Sequence, residues 1–362
     1  MSSRTPYRDQ PEHAFWRQAV ATPPCAEVDP VAGWTLTIDR DTRIATAGSC
    51  FAQHIANRLA RSGFTYMMTE PPHPAVAADL ARTYNYGLFT ARFGNIYTSR
   101  QLLQLIERAY GRFQPEEDVW VEADGRLIDP FRPNVQPGGF VTRAEYDLAR
   151  RQHFAAVRRM VEEVEVFVFT LGLTECWTSR ADGAVFPLCP GVSGGTYDPD
   201  RHVFRNLGVE EVTADMRAVL ARLRAVNPSV RMILTVSPVP LIATAGEDHV
   251  LAATTYSKSV LRVAAEELRR SEPGVHYFPS YEVITGAHAR GAYLGGDLRE
   301  VEEAGVNHVM RLFFRHAAPG IDVSQPRARA VAAPSMAVRR MRQALNVICD
   351  ENSIETAVQD AD

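Results

Sequence analysis

The residues able to do chemistry stand where apolar runs give way to polar turns. Ser49 and Cys50 follow a short strand-like stretch, Thr174 and Glu175 close a second, Ser237 a third, and Ser280 with Glu282 a fourth. In an open α/β sheet ligands bind outside the carboxyl ends of the strands, so these residues are expected to converge although they lie far apart in sequence. Cys50 opens a helical pattern. A helix N-terminus offers unpaired backbone donors and a potential that favours a thiolate or an adjacent oxyanion, so Cys50 is a candidate nucleophile. The plainer alternative is a small, half-buried cysteine that fits a tight turn. His308, in 305-GVNHVM-310, follows Asp297, Glu300, Glu302 and Glu303. A histidine accepts a nucleophile's proton near neutral pH, and a carboxylate holds its ring in the useful tautomer; a loop or surface histidine is the competing reading. His54 lies one helical turn after Cys50, a spacing that brings it close and equally suits an ordinary helix residue.

Other groups carry less. His202, near the loop 191-GVSGGTY-197, offers a polar wall or a structural contact. Asp198, Asp200 and His202 hint at a metal, but ligands from one loop define no coordination geometry, and neither a metal nor a cofactor is expected. The run 191-GVSGG-195 lacks the strand that a nucleophile elbow requires and reads as a loop. Neither a dinucleotide fingerprint nor a phosphate-binding P-loop occurs. Lys258 is the only lysine, the sole candidate for Schiff-base chemistry, and it falls inside a helix-like run.

The elements that must position these groups follow from periodicity. In 43-RIATAGSCFAQHIANRLARSGF-64 a strand-like start passes into a helix on which Phe51, Ile55 and Leu59 share a face. Gly48 permits the tight strand-to-helix turn. A helix over 143–163 leads into the apolar 164-VEVFVFTLGLTECW-177; a helix over 209–228 leads into the strand-like 230–241, and a helix over 256–273 into 275–284. Repeated helix-to-strand units with apolar strands imply a mainly parallel sheet covered on both faces, a three-layer α/β/α fold. The stretch 65–160, with its helical 100–110 and its turn-rich 119–140, reads as a lid-like insertion whose aromatics contact a ligand or pack its own core. An N-terminal extension is expected over 1–39, the main domain over 40–315, and a loop and helix over 316–362, with the helix at 334–349.

Composition narrows the partners. The 362 residues carry 43 acidic and 39 basic side chains, a formal charge of -4 that gives no electrostatic case for nucleic acid or an anionic membrane. Cys25, Cys50, Cys176, Cys189 and Cys349 are odd in number and form no CxxC pair, so a disulfide framework or thiolate zinc cluster is not expected. There is no secretory-type apolar leader and no run of about 18 apolar residues, which points to a cytoplasmic protein without a transmembrane segment. Composition does not define the oligomeric state.

The blocks 48-GSCFA-52, 170-TLGLTECW-177, 202-HVFRNLG-208, 235-TVSPVPL-241, 276-HYFPSYEVI-284 and 305-GVNHV-309, in this order, resemble the GSCFA-domain family. That family is similar to the SGNH/GDSL group of esterases, carbohydrate deacetylases and acyltransferases, whose three-layer fold agrees with the element order. The resemblance implies a nucleophile at Cys50, where the group's Gly-Asp-Ser carries serine, with Ser49 in the aspartate position or itself the nucleophile. The group's Gly-x-Asn-Asp block falls on 172-GLTE-175, so Thr174 replaces the oxyanion asparagine and Glu175 the aspartate. The late Asp-x-x-His block implies His308 as base, but Gly305 stands where the aspartate would be. The orienting carboxylate then comes from Asp297 or Glu302, or is absent, as in a Cys-His dyad. Gly94 and Asn95 correspond to the oxyanion glycine block, and His54, His202, Ser237 and Glu282 are possible pocket residues. The implied activity is hydrolysis or transfer of an ester- or amide-linked acyl group on a small-molecule, glycan or other acylated substrate. A noncatalytic ligand-binding or scaffold protein retaining the fold is the second reading.

Overall fold

The computed structural model describes residues 5–323 and 350–359. Its strands are β1 (Ile44–Gly48), β2 (Trp120–Val121), β3 (Leu127–Ile128), β4 (Val166–Leu171), β5 (Glu175–Ser179), β6 (Val185–Phe186), β7 (His202–Asn206), β8 (Arg231–Val236) and β9 (Val275–Tyr277). Its helices are α1 (Cys50–Arg61), α2 (Ala78–Thr83), α3 (Ser99–Ala109), α4 (Arg143–Glu163), α5 (Val209–Val226), α6 (Val250–Ser271), α7 (Ser280–Thr285) and α8 (Glu303–Ala317), followed by a C-terminal helix, Asn352–Gln359. The expected helix at 334–349, with Cys349, lies outside the described residues.

A four-stranded parallel sheet in the order β1-β4-β8-β9 forms the centre. β1 and β4 are buried on both faces, as their runs of β-branched, aromatic and small residues require. Alternate side chains sort to the two faces. Ala45, Phe167, Phe169, Met232 and Leu234 pack with Leu102 of α3, Val157 of α4, Val219 of α5 and Leu261 of α6. Ile44, Val166, Val168 and Ile233 pack with Phe51 and Leu59 of α1, Ile284 of α7 and Phe313 of α8. Helices thus cover both faces of a parallel sheet, as the repeated helix-to-strand units predict. Each fully buried Phe or Leu side chain contributes about 1.5–3 kcal/mol, so the Phe51/Leu59 stripe fastens α1 and Cys50 to the sheet.

Three boundaries differ from the sequence reading. The apolar run at 164–177 divides at Gly172: β4 stays in the parallel sheet, while β5 turns out into a small antiparallel sheet, β6-β5-β7. The run 275–284 yields only three strand residues before α7. Within 65–160, α3 and α4 belong to the layer covering the central sheet. The β2–β3 hairpin packs through Trp120 and Ile128 onto Phe186 of the small sheet. The stretch expected as an N-terminal extension is also tied down: Ile38 N donates to Ala317 O at 2.8 Å, and Trp34, Leu36 and Ile38 join the core beside α8.

Candidate active site

The turn from β1 into α1 sets the position of Cys50. Gly48 pairs with Thr170 in the sheet at a φ of +143°, and a Cβ on it would lie 2.7 Å from Thr170 Cβ and Thr170 O. Only glycine fits there. Ser49 is the N-cap of α1 but makes no side-chain cap bond; its Oγ is buried and has no hydrogen-bond partner among the described residues. Cys50 begins the helix and lines a cleft of about 620 Å³ together with His54, Arg58, Val239, Asp297, Arg299, Glu300 and Asn352. Burial pushes the His54 pKa down to about 4 against the opposing charge of Glu303, so its ring is neutral at pH 7.

Beneath this turn lies a group to which the sequence reading gave little weight. Lys258, on the buried stripe of α6 with Ser257, Leu261 and Leu268, is 2% exposed and donates from Nζ to Gly172 O at 2.7 Å. Gly172 in turn backs onto Ser49: a Cβ on Gly172 would stand 3.4 Å from Ser49 Cβ. Burial lowers the Lys258 pKa to about 8, and the charges of Glu351 and Cys50 oppose that fall. A lysine in register with an apolar stripe, in a chain whose other bases are arginines, was the available signal.

The candidate oxyanion residues separate. Asn95 reaches the site region: its Oδ1 accepts from Gln53 Nε2 of α1 at 3.3 Å, and its carbonyl accepts from Gln101 Nε2 at 2.9 Å. Gly94 beside it has a φ of +71°, which shapes this loop. Thr174 spends its hydroxyl elsewhere, donating to Asn206 Oδ1 at 2.6 Å, and its backbone N–H donates to Ser257 Oγ at 3.0 Å. Glu175 turns away with β5 and accepts from Thr244 Oγ1 at 2.7 Å, with its pKa raised by burial.

The other expected residues are distributed as follows. Asp297 and Glu302 line the Cys50 cleft. The backbone N–H groups of Arg299 and Glu300 donate to Asp297 and hold its pKa below the usual carboxylate value. His308 does not line that cleft. Its Nδ1 lies 2.9 Å from Tyr293 OH, its Nε2 is buried without a partner among the described residues, and burial lowers its pKa to about 4. Gly305 is forced by packing, since a Cβ would meet Ile284 Cδ1 at 2.8 Å and Tyr293 Cβ at 2.9 Å; α8 has no room for an orienting carboxylate at that position. Ser237, at the end of β8, accepts from Val239 N at 3.3 Å. Glu282 is engaged by Arg262 and Tyr277, each at 2.7 Å, and His202 Nε2 lies 3.1 Å from Glu117. Neither lines the cleft. Among the described residues no group of three His, Cys, Asp or Glu could hold a metal ion, so Asp198, Asp200 and His202 form no such site. No helix among these residues is long and apolar enough to cross a membrane.

One site component lay beyond the sequence reading. Asp350 accepts from Asn95 Nδ2 at 2.7 Å and from Asn134 Nδ2 at 2.9 Å, while Glu351 accepts from Arg299 Nη2 at 3.1 Å. An acidic pair remote in sequence gives no periodic signal of where it docks.

Comparison with known proteins adds the following. No curated protein matches the chain. Among solved structures, a carbohydrate esterase family 3 protein from Talaromyces cellulolyticus is 12% identical, with 75% of this chain and 94% of that chain covered and a TM-score of 0.27. The model of the GSCFA family matches residues 43–313, which span the central sheet, the β1–α1 turn and most of α8, and the chain therefore belongs to the GSCFA family.

Proposed function

We propose that the chain is an acyl hydrolase or acyltransferase in which Cys50 is the nucleophile and Lys258 takes and returns the proton. The observation that carries this reading is the placement of a cysteine at a strand-to-helix turn, 3% exposed in the wall of a cleft and within electrostatic reach of a buried lysine whose pKa is about 8. A base poised near neutral pH suits proton transfer, and the α1 N-terminus and the lysine both place positive potential where a thiolate or oxyanion carries charge.

In the first step the Cys50 sulfur attacks an acyl carbonyl and the thiol proton passes to the Lys258 amine. The carbonyl oxygen becomes an oxyanion that faces the positive end of α1, where backbone amides of the first turn stabilise it. Collapse expels an alcohol or amine that takes the proton from Lys258 and leaves a thioester. Water or a second nucleophile, deprotonated by Lys258, then releases the acyl group and restores the thiol. Lys258 replaces His308 in this scheme because the charge of Cys50 acts on Lys258, whereas His308 is hydrogen-bonded to Tyr293.

The test is acylation by an aryl ester followed by peptide mass spectrometry. A hydroxylamine-labile adduct on Cys50, absent in Cys50→Ala, is expected; equal turnover by Cys50→Ala sinks the reading. The second reading, a noncatalytic binding protein, draws support from Glu351 sitting among the charged groups of the site, and it predicts no adduct.

A further inference from the structure

Two adjacent carboxylates from the far end of the chain occupy donors brought together from four separate elements. Asp350 takes two side-chain amides, from Asn95 in the loop before α3 and from Asn134 in a single turn at Pro133–Val135. Glu351 takes the guanidinium of Arg299, from the loop before α8, and interacts with the ammonium of Lys258 on α6. Glu351 is 6% exposed, and the next residue, Asn352, lines the same cleft as Cys50.

Burying two neighbouring carboxylates is costly unless donors compensate them. The converse holds for the donors: without the acidic pair, Arg299 and Lys258 lose carboxylates that offset their buried positive charge. The compensation is also incomplete. Arg299 Nη2 reaches one oxygen of Glu351, whereas its Nε is buried with no hydrogen-bond partner among the described residues. A guanidinium edge offers two parallel N–H donors matched to both oxygens of a carboxylate. Glu351 uses this edge only in part.

We propose that this cluster is a carboxylate-recognition site, that Asp350 and Glu351 hold it as internal stand-ins, and that the substrate of Cys50 is a small dicarboxylate-bearing acyl compound that displaces them. The claim about substrate rests on the acyl reading of Cys50; the claim about binding does not. Arg299 engages one carboxylate edge-on, Asn95 and Asn134 hold the second, and the compound's acyl carbonyl lies toward Cys50.

The test uses the full chain and two variants, Asp350→Asn/Glu351→Gln, which keeps side-chain shape, and Asp350→Ala/Glu351→Ala. Alkylation of Cys50 is followed by peptide mass spectrometry with iodoacetate and with neutral iodoacetamide, and glutarate binding is followed by calorimetry. Emptying the site of its carboxylates is expected to raise the iodoacetate-to-iodoacetamide rate ratio about tenfold, the effect of one charge-assisted hydrogen bond. Glutarate is expected to bind both variants more tightly than the unaltered chain and to protect Cys50, and adding Arg299→Met is expected to abolish both effects. Folded variants with an unchanged ratio and no gain in glutarate affinity overturn the proposal, as does loss of the fold in both variants, which makes the acidic pair purely structural. Glutarate binding without any acyl adduct sinks the acyl reading alone; an adduct with no dicarboxylate preference sinks this inference alone.

Discussion

The Lys258 ammonium donates to the carbonyl of Gly172 at 2.7 Å, and Gly172 backs directly onto Ser49. This contact joins α6 to the end of β4 at the point where β1 turns into α1. It also holds the only lysine of the chain beneath the candidate nucleophile.

Replacing that lysine separates proton transfer from simple electrostatics. Lys258→Met is expected to slow acylation of Cys50 by about 100-fold or more, the usual scale for losing a general acid–base group. Lys258→Arg keeps the charge but cannot give up its proton near neutral pH. Its acylation is expected to fall nearly as far, whereas rescue by arginine would show that only charge is needed. Single-turnover acylation with an aryl ester reads both variants, with circular dichroism to confirm that each is folded.

Gly48→Ala tests the turn itself. The new methyl meets Thr170 Cβ and O at 2.7 Å on a backbone at φ +143°, so the substitution combines a clash with a disfavoured conformation. A loss of about 3 kcal/mol or more in urea unfolding is expected. A loss under about 1 kcal/mol would mean that the turn relaxes easily and does not fix Cys50.

How much of this was legible in the sequence depends on the range of the interaction. The β1–α1 turn, α5 and the pairing of helices with apolar strands are written in local periodicity, and Phe51, Ile55 and Leu59 indicate the inward face of α1 without tertiary information. The division at Gly172 was hidden because a single glycine, without a cluster of turn residues, separates the apolar β4 from the mixed Glu-Cys-Trp-Thr-Ser of β5. The position of Cys50 at the start of α1 was legible because its turn is local. Lys258, Arg299 and the acidic pair reach the site only through tertiary packing, and His308 drew attention by residue type although the crowding at Gly305 turns that part of α8 toward Tyr293.

His308 therefore provides a control. His308→Phe is expected to leave the Cys50 acylation rate within about twofold while reducing stability by about 1–3 kcal/mol through loss of the Tyr293 hydrogen bond. A hundredfold loss of acylation in a folded variant would return His308 to the role of base. The variant should also blunt acid sensitivity. Unfolded, a histidine takes up its proton near 6.5, whereas folded His308 does so near 4, so stability present above pH 6.5 is lost as pH falls toward 4. Thermal melts between pH 7 and 4 are expected to decline less steeply in His308→Phe; His54, lowered to about 4 as well, accounts for part of the decline that remains.

Docking of the acidic pair is expected to weaken as pH rises. Burial raises the Glu351 pKa from 4.5 to about 7, against the charges of Arg299 and Lys258 and with help from its neighbour Asp350, itself raised by burial. The docked carboxyl thus holds a proton that a released one sheds, so Glu351 is held best below pH 4.5 and leaves as pH climbs through 7, where an ionised ligand carboxylate that also reaches the unpartnered Arg299 Nε takes its place. Iodoacetamide alkylation of Cys50 measures this if each rate is divided by that of Asp350→Asn/Glu351→Gln at the same pH, which cancels the ordinary titration of the thiol. The quotient is expected to rise about tenfold or more from pH 5 to 8. A flat quotient would mean that Asp350 and Glu351 stay docked at every pH, and a falling one that their ionised forms bind the donor cluster better than their neutral forms.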